Sequence, residues 1–471
     1  MNVLLVQPPE PPEPVKTVGT GMACAELLAP PHALLCIHSF LVERSRHTCR
    51  FFDARLSNDL EADLANHLQT TPAPRILVLP VTTLGIGPVS AMVDMAKRCD
   101  PDLTIVAFGQ HPSQFPEAAL ALPRVDYALA GDPEPILRNL LDSMDTPPRL
   151  HRVPGLLFEG KADLSPYWLE HLRGLVPGDW TGIFWDAYET GLAYRACRAE
   201  LRLSRGNAGC PSDRIFGHAH EPLRIWSFDK LAARMMQAGP HGIQEVVVND
   251  SPGFWNWERL HEWIEALQRV RNTQPWSMRI LPAALDEDTI KRLAFVGCRR
   301  IRILFPSCDP DLLSEWDITA TPPETAEMIR ILQINGISTQ IRIWLGGPEE
   351  APGEEDRALR VLRTLDPNGY ALAPFQFLVD SPDYRRLARA YDAPNLESWM
   401  RWARDPWTQE RPLALWGGSE QQARLEKMTA HILRRHRRSA RVVARRLVEG
   451  VRAFSFSDLF SRHIAQPHGL R

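Results

Sequence analysis

At 471 residues the chain is too long for one ordinary core, and its length predicts two or three domains. Its 44% hydrophobic and 24% charged residues match folded globular proteins, and a formal charge of -3 gives no electrostatic drive toward nucleic acid or a membrane. The opening MNVLLVQPPEPPEP lacks the basic segment of a secretion signal, no apolar run reaches bilayer length, and eight scattered cysteines read as buried thiols, so a reducing, cytoplasmic setting is expected.

Over residues 1–155, short β-rich runs alternate with helical ones, the pattern of a parallel sheet flanked by helices. Strands are predicted at Asn2 to Val6, Arg50 to Asp53, Arg75 to Val81, Leu103 to Phe108 and Tyr127 to Ala130. Several run into loops with glycine, proline or hydroxyl residues: QPPEPP, VTTLGIG, GQHPSQ and GDPE. Loops beyond the carboxyl ends of parallel strands form the ligand crevice, which makes these four the expected site.

Residues 156–192 read as a linker rich in aromatic residues and proline. Residues 193–387 return to α/β alternation, with strands predicted at Ala199 to Ser204, Glu245 to Asn249, Met278 to Leu281, Arg300 to Phe305, Gln340 to Leu345 and Tyr370 to Phe377. Helical segments between them, such as Trp257 to Arg271, carry apolar residues at three and four spacing. About six βα units in a row predict a partial (β/α)6 TIM-type barrel. Residues 388–471 read as helical, with an arginine-rich stretch that fits a solvated or barrel-capping face, a docking surface being the alternative.

The order of these blocks carries a resemblance. An opening strand ending in Pro8 and Pro9, then PPHALLCIHSFLVERSRHTCRFFDARL, VTT, VAFGQHPSQFPEAAL, VDYALAGDPEPILRNLL and VPGLLFEG resemble the B12-binding domain of cobalamin-dependent radical S-adenosylmethionine enzymes. The family's Gly-Gly-x-His-like and Gly-Glu-x-Glu-like loops correspond here to Phe108-Gly109-Gln110-His111 and Gly131-Asp132-Pro133-Glu134. The resemblance implies a Rossmann-like (flavodoxin-like) domain holding cobalamin through Pro8, Thr82, Thr83, Gly109, Gln110, His111, Gly131, Asp132 and Glu134. Small residues in such loops let the backbone approach a ligand, and Thr82, Thr83 and Ser113 offer hydrogen bonds. No Asp-x-His-x-x-Gly segment is present, so the cobalt is expected to lack a lower imidazole ligand. His32, His38 and His111 are the conceivable substitutes, each more often a packing residue. A flavodoxin-like module for another nucleotide is the plain alternative.

The second part resembles the radical S-adenosylmethionine barrel through LRLSRGNAGCPSDRIFG, VVVNDSPGFWNWERLHEWIEAL, LDEDTIKRLAFVGCRRIRILFPSCDPDLL, TPPETAEMIRILQINGISTQIRIWLGGPEE and FQFLVDSPDYRRLA. That family holds a 4Fe-4S cluster on C-x3-C-x2-C. Here only Cys210 stands in the motif, with Arg214 and Gly217 at the other two places. Arginine stays protonated and glycine has no side chain, so neither ligates iron. Rescue by Cys197, Cys298 or Cys308 would need convergence without motif spacing. The expectation is a vestigial Cys210, no 4Fe-4S cluster and no cleavage of S-adenosylmethionine. The turns Val248-Asn249-Asp250-Ser251 and Phe305-Pro306-Ser307-Cys308 also depart from the family's cosubstrate contacts. His218, His220 and Glu221 form a minor metal-site alternative to an ordinary surface loop.

The expected function is a methyltransferase-like, cobalamin-dependent transferase for a small-molecule substrate. Asp250, Arg279 and Cys308 are its candidate catalytic groups, each also readable as structural. The competing class is a non-catalytic cobalamin-binding subunit with a partner protein.

Overall fold

A computed structural model describes residues 1–9, 18–19, 28–83, 85–183, 185–188, 197–207, 221–283, 285–347, 349–375 and 418–437. Two sheets organise it.

The first sheet contains β1 (Asn2–Gln7), β3 (Thr48–Asp53), β4 (Arg75–Pro80), β5 (Thr104–Phe108), β6 (Tyr127–Leu129) and β7 (Leu156–Leu157). In β1 and β4 four consecutive residues are buried, the composition of strands covered on both faces. One face packs Val3, Leu5 and Val78 against the helices His32–Arg44 and Pro133–Ser143, and the other packs Leu4, Val6 and Leu77 against Leu60–Thr70 and Ile86–Cys99. The strand order β3-β1-β4-β5-β6-β7 is parallel except at β7, and follows the flavodoxin-like sequence of crossovers. The five parallel strands lie where the apolar runs predict them.

The second sheet joins β2 (Val18–Gly19) to β8 (Arg198–Leu201), β11 (Glu245–Val248), β12 (Trp276–Ile280), β13 (Cys298–Phe305), β14 (Ser338–Leu345) and β15 (Gly369–Pro374). From β8 to β15 every neighbour is next in sequence order and parallel, while β2 adds antiparallel to β15. Helices Trp257–Arg269, Glu287–Phe295, Pro322–Ile334 and Glu354–Leu365 connect the strands. Asn256 caps the first through Arg259 N–H, Asp286 the second through Thr289 N–H, and Thr321 with Glu324 forms a capping box on the third. β9 (Ser204–Arg205) and β10 (Arg224–Ile225) form a separate antiparallel pair.

One apolar cluster runs from Val3 and Leu35 through Leu172, Trp180 and Trp185 to Leu201, Val246 and Ile341. The aromatic segment read as a linker therefore packs the two sheets together. It also extends the first sheet: Tyr167 N–H donates to Ala130 O at 2.9 Å and Asp132 N–H to Tyr167 O at 2.9 Å. Of the helical C-terminal region, Gly418–Arg437 is a helix and packs on Glu354–Leu365. The rest of residues 388–471 lies outside the described residues. No described helix is long and apolar enough to cross a membrane.

Gly131 sits at this junction with φ near 110°, and a Cβ there would run into the Tyr167 carbonyl. The substitution Gly131→Ala is expected to cost roughly 2–5 kcal/mol, measured as a lowered urea midpoint of the full chain, whereas Gly160→Ala, with open space around it, is expected to cost less.

Candidate functional site

The carboxyl ends of β5 and β6 open onto a cavity of about 320 Å³ whose other wall comes from the second sheet. Gly109, Gln110, Ser113, Gln114 and Asp132 line it from the first sheet; Arg202, Asn249 and Asp250 line it from the strand ends of the second, and Ser204 and Arg205 from β9 of the separate pair. Trp168 and Trp226 supply flat apolar surface.

The loops are fastened by short local bonds. Ser113 Oγ donates to Gly109 O at 2.7 Å and accepts from Gly131 N–H at 3.0 Å, so one hydroxyl ties the two glycine loops. Gly109 has φ near 109° and lies where a Cβ would press on Val81 O at 3.3 Å. Both glycines therefore meet the chain's own backbone as well as bordering the cavity. Thr82 Oγ1 accepts from Gly85 N–H at 3.0 Å, and buried His111 meets Thr83 Oγ1 at 3.1 Å. Pro8 is buried at the end of β1. Of the sequence-expected cofactor set, Gly109, Gln110, Gly131, Asp132 and Glu134 line the cavity. Pro8, Thr82, Thr83 and His111 are not part of its lining.

Asp132 and Glu134 are buried and join the two halves. Arg205 on β9 donates to Asp132 Oδ1 at 3.1 Å and to Glu134 Oε2 at 2.9 Å, with a second, very close bond to Glu134 Oε1. Arg224, opposite it on β10, pairs closely with Asp132 Oδ2 and reaches Glu221 at 3.0 Å. Burial would lower the Arg205 pKa, but the Glu134 carboxylate and its hydrogen bonds hold it well above the ordinary value. Each guanidinium also covers an indole, Arg224 over Trp168 at 5.2 Å and Arg205 over Trp226 at 5.9 Å. These two carboxylates are thus engaged by arginines of the other half.

The candidate catalytic groups occupy three settings. Asp250 accepts from Leu203 N–H and Ser204 N–H at 2.8 Å each and from Ser204 Oγ at 2.6 Å, clamping the turn between β8 and β9. Burial pushes its pKa up against those bonds. Arg279 Nη2 donates to Asp250 O at 3.1 Å, just beneath the cavity wall. Cys308 is buried beyond β13, away from the cavity lining, and burial followed by the nearby Glu350 and Glu354 raises its thiol well above the usual range. Glu354 accepts from Gly346 N–H at 2.6 Å, and burial with Glu350 beside it lifts its pKa to about 7.

Cys210, Arg214, Gly217, His218 and His220 lie outside the described residues; Glu221 is described and belongs to the Arg224 pair. Among the described residues no group of three or more histidine, cysteine or acidic side chains is placed to hold a metal.

One pair escaped the sequence reading. Cys36 Sγ lies 3.5 Å from Nε2 of His32, and His32 lines the cavity. Burial alone would lower the His32 pKa and raise that of Cys36, yet each group overrides it for the other, leaving the imidazole raised and the thiol lowered. The available signal was the i, i+4 spacing at the start of the first helix, which stacks the two side chains on one face.

A mostly parallel α/β domain whose crevice faces a second, sequentially wound parallel sheet defines a two-part α/β protein by architecture. No family model matches the chain. It is 21% identical over 338 residues to the anaerobic magnesium-protoporphyrin IX monomethyl ester cyclase of Rubrivivax gelatinosus, covering 68% of this chain and 59% of that relative. It therefore spans less than two thirds of the relative's length. Among solved structures, the radical S-adenosylmethionine methyltransferase TsrM from Kitasatospora setae with cobalamin and a 4Fe-4S cluster bound matches with TM-score 0.62 at 18% identity, over 83% of this chain and 75% of that one. The cobalamin-dependent S-adenosylmethionine radical enzyme OxsB with aqua-cobalamin bound matches with TM-score 0.61 at 15% identity, over 83% of this chain and 60% of that one. The chain has the fold of the cobalamin-binding radical S-adenosylmethionine superfamily.

Two outcomes follow from these geometries. Glu134→Ala leaves Arg205 short of its main partner and is expected to destabilise the chain by about 3 kcal/mol, with earlier proteolysis of the segment between the sheets as the second readout. For Glu354 the folded pKa of about 7 exceeds the ordinary value of 4.5, so ionising it costs stability as pH rises from 4.5 toward 7 and by a constant amount above. Glu354→Gln is accordingly expected to stabilise by about 2 kcal/mol at pH 8 and to change little at pH 4, in denaturant titrations at both values.

Proposed function

We propose that the chain is a cobalamin-dependent enzyme that works without a 4Fe-4S cluster, carrying out methyl transfer or related group transfer on a small organic substrate. The observation that carries this reading is the cavity at the strand ends of the first sheet, walled on its far side by the second. Its donor set suits a corrinoid: the backbone of Gly109 and the side chains of Gln110 and Gln114 would hydrogen-bond carboxamide and phosphate groups, Ser113 holds their loop, and Trp168 and Trp226 would cover apolar ring surface. When bound, the corrinoid supplies a cobalt-carbon bond that delivers a methyl group or breaks homolytically.

The chain's own residues hold and shield the site. Gln110 and Ser113 orient the ligand from the first sheet, and Arg202 and Asn249 face it from the second. The Asp132, Glu134, Arg205 and Arg224 cluster closes the back of the crevice against water. Asp250 and Arg279 shape the wall that a substrate would meet. The reading takes residues 1–155 as the cofactor domain, 156–192 as the linker, 193–387 as a partial TIM-type barrel and 388–471 as a helical cap. The unbroken parallel order from β8 to β15 supports the barrel. The lone Cys210 in its motif supports the missing cluster.

Anaerobic reconstitution with hydroxocobalamin, iron and sulfide, followed by metal counts and an absorption spectrum, is expected to give stoichiometric corrinoid and no cubane. Gln110→Ala is expected to weaken corrinoid affinity about 5- to 10-fold. A stoichiometric cluster that cleaves S-adenosylmethionine, or a protein that takes up no corrinoid, would sink the reading.

A further inference from the structure

Strand alternation gives the second sheet two faces. One is apolar and packs on the helices through Leu201, Val246, Met278, Ile301 and Ile341. The opposite face is cationic. It carries Arg198, Glu200 and, just past the strand, Arg202 from β8, with Glu245, Arg279, Arg300, Arg302 and Arg342 from the strands beyond. Six arginines stand against two glutamates. Glu245 is shared by Arg198 at 3.2 Å and Arg300 at 2.7 Å, and Glu200 pairs with Arg202 at 2.7 Å.

Arg279 and Arg302 have no carboxylate within ion-pairing distance among the described residues. They are register partners on adjacent strands β12 and β13, so two like charges lie side by side. Arg302 Nε reaches Gln340 Oε1 at 3.3 Å, while its Nη2 is buried with no hydrogen-bond partner. Arg279 Nη2 donates to the carbonyls of Asn249 and Asp250, at 3.4 and 3.1 Å, and its Nε is likewise buried without a partner. Asn249 and Asp250 line the cavity, so the cationic face continues directly from it. Arg202 marks the opening, since half of its side chain (51%) remains exposed. Burial and the surrounding arginines depress both unpaired guanidinium groups to about 10, which leaves them charged at neutral pH.

We propose that this face seats an anionic substrate whose carboxylate or phosphate oxygens are received by the adjacent guanidinium groups of Arg279 and Arg302. Neighbouring planar forks with unused N–H groups match the lone pairs of such an oxyanion, and its charge removes the repulsion between them. The assignment rests on the small-substrate part of the reading above and narrows it to acids. Its test needs no corrinoid, so the two readings fail separately.

The full chain without corrinoid is titrated with citrate and, separately, with pyrophosphate, against glycerol and against sodium chloride at matched ionic strength, by calorimetry and thermal denaturation. At least one of the two anions is expected to bind and raise the melting temperature; the stronger ligand tells carboxylate from phosphate. Arg302→Gln is expected to weaken that binding about tenfold or more while leaving the ligand-free melting temperature equal or higher. Arg302→Lys, which keeps the charge and loses the fork, is expected to fall between and serves if the glutamine variant does not fold. Binding no stronger than the chloride control, or binding unchanged in both variants, would overturn the assignment.

Discussion

The pairing of Asp132 and Glu134 with Arg205 and Arg224 is the constraint on which the site depends. Taking these charges out of water is expensive, and the gain from pairing them is of similar size, so the cluster adds little net stability. Its effect is orientation. With the carboxylates at the loop after β6 and the guanidinium groups on the β9 and β10 pair, moving one half against the other would leave these buried charges without their partners. The cavity exists because this pairing holds the strand ends of one sheet opposite the turns of the other. Leu169 N–H, donating to Asp132 Oδ2 at 2.8 Å, brings the connecting segment into the same arrangement.

That arrangement changes how the glycine loops are understood. Gly109 and Gly131 border the cavity, and their small size also serves the internal backbone, against Val81 and Tyr167. A ligand there would meet a surface already set by Ser113, which spans both loops. The acidic residues of the second loop are taken up by Arg205 and Arg224, whereas Gln110 and Gln114 line the cavity beside the glycines.

Charge is distributed very unevenly beneath a nearly neutral total. The chain as a whole carries -3, yet one face of the second sheet concentrates arginine on successive strands. Side-by-side cations disfavour the folded state unless something negative joins them. The same face adjoins the cavity through Arg279 and Asn249. The cavity and the arginine-rich face thus share one wall, built from the turn that Asp250 clamps.

The sequence by itself determined the longer parallel strands of both sheets, because apolar runs, loop residues and helix caps act locally and are written in consecutive positions. It also exposed the lone Cys210 of the cluster motif, since ligand chemistry is a property of the residue type at a fixed spacing. Strand topology pointed to the loops after the parallel strands, and the family resemblance named residues in them, of which Gly109, Gln110, Gly131, Asp132 and Glu134 line the cavity. Only the tertiary structure decided what those residues touch. Arg205 and Glu134 are separated by 71 positions, and no local pattern encodes such a meeting. Strands of two residues such as β7, β9 and β10 carry no periodicity to read, while the cationic face emerges only when alternation is combined with register. Burial then sets the charge behaviour of each group, and burial is a property of the packed molecule rather than of any segment.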